Sequence, residues 1–285
     1  MKQHGFFDEN DRLKELSTLG DPLEKLNKYI NWDNFQGILT KTLKKEAQGP
    51  GGRPPFDYVM MFKILILQKL YNVSDDQAEY QIKDRLSFQR FLGLALCDTV
   101  PDAKTIWHFR EELVKANILD TIFYRFVRQL EEQEIISCSG SIVDATFVDA
   151  QRKRNNKGKE KRKKHKKSQK DINARWATKN KEWHYGYKDH IKIDAESKLI
   201  TKLSATSAAV HDSQELSKLV DEKGYRNRPL TKTQKANNTR KSKIRSRVEH
   251  VFATMTNTMR GIVVRSIGMA WAHANIALMN LTYNF

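Results

Sequence analysis

Ser141-Ile-Val-Asp-Ala-Thr-Phe-Val-Asp-Ala150 is an apolar, β-branched run with strand character, and it carries a carboxylate, Asp144, in its interior. Further along, Arg245-Ser-Arg-Val-Glu-His-Val-Phe252 has helical spacing and a basic lead-in to Glu249. A strand carboxylate and a helix carboxylate are the parts from which sites for divalent metals acting on phosphodiesters are built. A second aspartate is expected between them, and the intervening sequence offers no convincing one.

Working outward, Ile135 to Ala150 is predicted as a strand, and Trp183 to Asp194 alternates apolar and polar residues. Leu199 to Thr206 pairs back across a turn at Asp194 to Lys198, which predicts a three-stranded meander. Helices are predicted over Ser213 to Val220 and Thr239 to Met259. A strand block flanked by helices is a mixed α/β core.

Residues 1–135 read as a helical domain, and 136–285 as the α/β domain. Phe56 to Tyr71 has apolar residues at helical spacing after Pro54-Pro55, and Ser74-Asp-Asp-Gln77 has the form of a capping box opening a helix that runs to about Phe91. Asp102 caps a third helix with Ile106, Phe109 and Leu113 on one face, and a fourth spans Ile118 to Glu134. Short connections predict a bundle, one helix of which is a candidate for entering a DNA groove in helix-turn-helix fashion.

The 285 residues carry 51 Lys and Arg against 34 Asp and Glu, a net charge of +17. Such a chain is drawn to polyanions, and DNA and RNA rank above an anionic membrane because no amphipathic anchor or lipidation signal is present. Between the first and second strands, Arg152 to Lys170 holds twelve Lys or Arg among nineteen residues. Arg152, Lys153, Arg154, Lys161, Arg162, Lys163, Lys164, Lys166 and Lys167 of this run are candidate DNA-binding residues, neutralising phosphates without reading sequence. A second basic stretch, Gly224 to Arg247, has nine Lys or Arg and no carboxylate, and adds Arg240, Lys241, Lys243 and Arg247 as DNA-binding candidates.

Other classes fit less well. The apolar run Tyr58 to Tyr71 is interrupted by Lys63 and Lys69 and is too short to span a bilayer, and no signal segment opens the chain. Cys97 and Cys138 have no metal-like spacing and read as buried thiols in a reducing, cytoplasmic setting. Gly49-Pro-Gly-Gly-Arg53 lacks the Lys-Ser/Thr ending of a phosphate loop. His184 and His190 read as sheet residues on one face rather than zinc ligands, no serine stands in a nucleophile elbow, and Trp176, Trp183 and Trp271 read as core or interface aromatics.

Arg53 through Leu94, Pro101-Asp-Ala-Lys-Thr-Ile-Trp-His-Phe-Arg110, Val143-Asp-Ala-Thr146, His184-Tyr-Gly-Tyr-Lys-Asp-His190, Ala209-Val-His-Asp-Ser213, Lys223-Gly-Tyr-Arg226 and Arg245 to Phe252 occur in one order along the chain. In this combination the sequence resembles bacterial insertion-sequence transposases of the DDE type, the "IS five" group. The resemblance implies an RNase H-like catalytic core behind a helical domain that binds the element's terminal inverted repeats. It also implies Mg²⁺-dependent cutting and rejoining of double-stranded DNA, with two ions, and assembly as a homodimer on paired ends.

Carried over residue by residue, the resemblance places the first catalytic aspartate on Asp144, the glutamate on Glu249 and its arginine on Arg245, with Asp144 and Glu249 as metal ligands. The middle aspartate falls where Leu219-Val-Asp-Glu-Lys-Gly-Tyr225 joins two landmarks directly, which implies a deletion near 221–224. Ser242 and Thr256 stand where related groups have a tyrosine and a lysine. Two carboxylates are too few to hold two Mg²⁺ ions unless Asp212 or Asp221 substitutes. Three functions therefore remain: a transposase impaired in this copy, a non-catalytic DNA-binding remnant, and a basic RNA-binding protein.

Overall fold

The computed structural model describes residues 8–44, 54–137, 140–151, 171–179, 181–212, 214–215, 246–260 and 263–285. The chain divides into two compact units, Met1–Ala116 with Phe285, and Asn117–Asn284.

The first unit is helical: α1 Asp8–Thr18, α2 Pro22–Tyr29, α3 Asp33–Leu43, α4 Tyr58–Tyr71, α5 Asp75–Asp84, α6 Leu86–Leu92 and α7 Ala103–Ala116. Helix α4 is its axis, since Met60, Met61, Phe62 and the run Ile64–Gln68 are all buried. Such a helix shows almost no amphipathic stripe because every side meets protein. Asp57 caps it by accepting from the Met60 amide at 2.7 Å, and Asn72 in the left-handed conformation ends it.

The capping serine holds as expected, with Ser74 Oγ accepting from the Gln77 amide at 3.3 Å. The helix expected to continue to Phe91 instead breaks at Arg85, whose extended backbone separates α5 from α6. The break lets Phe88, Phe91 and Leu92 turn inward, and the Gln89 side chain donates to the Lys83 carbonyl at 3.2 Å across it. Helix α7 starts after Asp102, which accepts from the Thr105 amide at 2.7 Å, and buries Ile106, Phe109 and Leu113 as their spacing predicts. Arg110 of α7 donates to Gln68 Oε1 of α4 at 2.7 Å and pairs with Asp75 of α5, so one guanidinium joins three helices.

In the second unit α8, Leu119–Glu132, packs on the sheet and the last helix, so these residues group with the strands although their pattern is helical. Strands β1 Ser141–Ala150, β2 Arg175–Lys179, β3 Glu182–Asp194, β4 Ile200–Ser207 and β5 Val263–Val264 form one mixed sheet. β3 is antiparallel to β1, to β2 along its first half and to β4 along its second. β1 lies between β3 and β5, and its parallel pairing with β5 covers only Asp149 and Ala150.

The expected meander is therefore present, with β2 and β5 added to it. Its turn is built on Asp194, which accepts from the Glu196 and Ser197 amides at 3.2 and 2.9 Å. Helical residues 246–253, here α9, continue into a π-helical stretch, Thr254–Thr258. The expected helix from Thr239 falls outside the described residues up to 245, and the expected Ser213–Val220 helix is described only at 214 and 215.

Helix α10, Met269–Asn284, covers the sheet with an almost continuously buried surface, and its pattern gave no expectation of a helix. Asn284 near its end acts as a strand surrogate, accepting from the Ile200 amide and donating to the Ile200 carbonyl, both at 2.8 Å. Cys97, expected as a buried thiol, is exposed in the turn that follows α6, and Cys138 lies outside the described residues. No described helix is long and apolar enough to cross a membrane.

Candidate active site

Asp144 enters the site through the pleat of β1. Side chains directly opposite on paired strands share a face, so Asp144 faces with Ile142, Thr146 and Val148, and across β3 with Ile193, Ile191, Asp189 and Tyr187. This is the face α10 covers, because Asn280 of α10 donates to Asp189 Oδ1 at 3.0 Å. Asp144 itself is half-buried on β1, next to β3 in the sheet.

Glu249 lies on α9, which buries Val248 and Val251 and leaves Glu249 exposed. The π-helical stretch that continues this helix packs against α10 and buries Met255. Near the helix start Arg247 donates to the Ala195 carbonyl, and the Ala195 amide bonds the Gly140 carbonyl at 2.9 Å, one residue before β1. The helix with Glu249 is thus fastened beside the leading end of the strand with Asp144. Arg245 lies outside the described residues.

The two substitute carboxylates differ. Asp221 is outside the described residues, whereas Asp212 is exposed and accepts from Lys188 Nζ at 2.8 Å. Burial acts upward on the Asp212 carboxyl, but the Lys188 hydrogen bond and charge outweigh it and hold the group below the usual aspartate range. Lys188 stands opposite Phe147 and over its ring at 5.2 Å, so it belongs to the face away from Asp144. Asp212 is anchored there by a cation and is not gathered with Asp144. Of the basic DNA-binding candidates only Arg247 is described, and it is exposed.

Among the described residues no group of three or more His, Cys, Asp or Glu side chains is placed to hold a metal ion. Asp144 and Glu249 are hard oxygen donors of the right kind for Mg²⁺, but as a described set they do not meet the ligand count of a two-ion site. The histidines follow the sequence reading: His184 stacks on Phe147 at 4.3 Å, and buried His190 meets Thr206 Oγ1 at 2.8 Å.

Two carboxylates escaped the sequence reading. Asp189 is fully buried beside Asn280, and burial pushes its carboxyl up to about 7 against the opposing Asn280 hydrogen bond. Asp189 Oδ2 and Asn280 Oδ1 are buried without a hydrogen-bond partner. The signal was present, since Asp189 occupies the inward parity of β3 among Tyr187, Ile191 and Ile193.

Asp171, just after the basic run, accepts from the Tyr187 hydroxyl at 2.6 Å, the Asn173 and Ala174 amides at 3.0 and 3.1 Å, and the Gly268 amide at 3.2 Å. Burial acts upward on it, and these bonds together hold it below the usual range. It fastens both the approach to β2 and the entry to α10 to the sheet.

A helical unit followed by a mixed sheet, with β1 between β3 and β5 and helices packed on the sheet, is an RNase H-like arrangement. Residues 11–112 match the family described as Transposase domain (DUF772), and residues 138–224 and 217–285 match the Transposase DDE domain. The chain belongs to the DDE transposase family, enzymes that cut DNA and transfer its strands. Members generally use divalent metal ions, and they act on DNA. No solved structure gives a significant match.

Proposed function

We propose that this chain is an insertion-sequence transposase of the "IS five" type that binds its element's terminal inverted repeats but is impaired as a nuclease. The observation that carries the reading is that the family match falls into two stretches, 138–224 and 217–285, which overlap at 217–224, where the sequence joins Leu219-Val-Asp-Glu directly to Lys223-Gly-Tyr-Arg.

In this reading residues 1–135 hold the ends, residues 136–285 form the catalytic domain, and the two basic stretches neutralise phosphates in a cytoplasmic homodimer. Asp144 and Glu249, with Arg245 one helical turn before Glu249, are what remains of the metal-holding set. Two Mg²⁺ ions are not held stably by that pair. A non-catalytic remnant competing for the same ends is the limiting case, while an RNA-binding role explains the charge but not the family match.

Incubating the protein with end-containing plasmid and Mg²⁺ or Mn²⁺ tests this, with binding in a shift assay and no nicking as the expected result. Robust turnover abolished by Asp221→Ala would reveal a substitute ligand and overturn the impairment.

A further inference from the structure

We propose that α2, the connection at residues 30–32 and α3 form a helix-turn-helix, and that Gln36, Gly37, Thr40 and Lys41 on the outer face of α3 read base edges in a DNA major groove. The inference rests on the DNA-transposase reading and deepens it by naming the helix that reads sequence. Sequence alone placed the groove-reading candidate among the helices from Phe56 onward, and the stretch before them carried no expectation.

Hydrophobic spacing fixes which way α3 faces. Phe35, Leu39 and Leu43 are buried, with the Phe35 ring 5.6 Å from that of Phe62 on α4. Gln36, Gly37 and Lys41 are exposed, and with half-buried Thr40 they follow the three- and four-residue spacing of one helical face. Asn31 Oδ1 accepts from the Asp33 amide at 3.2 Å and the Tyr58 hydroxyl donates to the Leu43 carbonyl at 3.3 Å, so both ends of the helix are held.

The outer face has the chemistry of a reading surface. Gln36 Nε2 donates to Thr40 Oγ1 at 3.3 Å, which steadies a side-chain amide of the kind that pairs with an adenine edge. Glycine is a poor helix former, and a Cβ added at Gly37 would meet nothing within 4 Å, so no described neighbour accounts for it. A missing Cβ on an outer face lets a ligand approach the backbone closely.

Charge selects DNA and selects this pair of helices. From Lys25 to Lys44 the chain has four Lys and one acidic residue, Asp33. By contrast α1 has four acidic residues to two basic, and α5 has four to one. Helix α4 is buried, and on α7 the outward Lys115 is paired with Glu111 at 3.1 Å, a carboxylate that phosphates repel. Lys25 and Lys28 are exposed on α2, and they supply cations for the phosphate backbone that the first helix of such a motif crosses.

The unaltered full chain is used to select duplexes from a random pool, and fluorescence polarisation then compares a selected duplex with a scrambled one of the same composition. Gln36→Ala is expected to lose roughly tenfold on the selected duplex and to stay within about twofold on the scrambled one. Gly37→Ala is expected to lose a similar factor on the selected duplex while its melting temperature rises, because alanine favours the helix and has open space there. Lys25→Ala is expected to weaken both duplexes alike and to lower the salt slope by about one.

An unchanged ratio of the two affinities in both Gln36→Ala and Gly37→Ala overturns α3 as the reading helix and leaves the transposase reading intact. A pool in which the unaltered chain enriches no sequence overturns α3 and the end-binding reading together.

Discussion

The two halves of β3 are one strand under opposite conditions. From Tyr187 to Ile193 the inward positions are fully buried between β1, β4 and α10, and even a carboxylate, Asp189, is enclosed there. From Glu182 to Tyr185 the same strand pairs with β2 and leaves Trp183 in solvent. Alternation is unbroken through both, so the pattern that makes the strand is not what decides its surroundings. The inner half is fixed by packing, and the outer half is held by its hairpin.

Gly186 is the junction, and substituting it breaks the comparison most severely. A Cβ there would stand 2.2 Å from the Val148 carbonyl oxygen and 2.7 Å from the Ala150 nitrogen, at a φ of +156° that L residues rarely adopt. Backbone cannot yield as a flexible side chain does, so Gly186→Ala is expected to cost about 5 kcal/mol, read as loss of cooperative unfolding or of soluble protein.

The next effect is on the inner half and depends on pH. Asp189 binds its proton more tightly in the folded chain than in the unfolded one, so the stability it contributes is full below the ordinary aspartate pKa of 3.8. It declines as pH rises toward about 7 and is lost beyond that. The difference is up to about 4 kcal/mol. Asp144 shares this face one diagonal away, so the measurement is the difference between the parent chain and Asp189→Asn, whose amide can still pair with Asn280. Denaturant titrations from pH 5 to 8 are expected to show the slope in the parent and its absence in the variant.

Tyr187→Phe sharpens the comparison further. It removes the hydroxyl that donates to Asp171 at 2.6 Å and leaves a buried acceptor short of one bond, at a cost of about 2 kcal/mol in the same titrations. The smallest expected effect is on the outer half: Trp183→Ala changes stability by less than about 1 kcal/mol, since the indole is mostly exposed. A stability loss as large as that of Tyr187→Phe would mean the two halves are not distinct.

Much of this was legible in the chain itself. Asp102 and the 106, 109, 113 spacing gave α7, and the alternation in Trp183 to Asp194 gave β3, because caps and periods are local properties. Helix α10 was not legible, since Met269–Asn284 is apolar on nearly every side and shows no stripe. The break at Arg85 was hidden because the 74–91 stretch reads as helix throughout, and only the need to bury Phe88 and Phe91 divides it. The site was half legible: Asp144 and Glu249 stood out by element type, but the separation of Asp212 onto the Lys188 face depends on pleat and register.

The order of motifs, the net charge of +17 and the strand-then-helix placement of Asp144 and Glu249 followed from sequence, because composition and local spacing need no neighbours to be read. Tertiary structure alone decided that Asp189 is sealed beneath α10, that Trp176 and Trp183 are 50% and 64% exposed, and that Asp212 is held by Lys188 on the face away from Asp144. Those outcomes depend on which distant segments meet, and contacts between segments far apart in the chain leave no periodic trace in either of them.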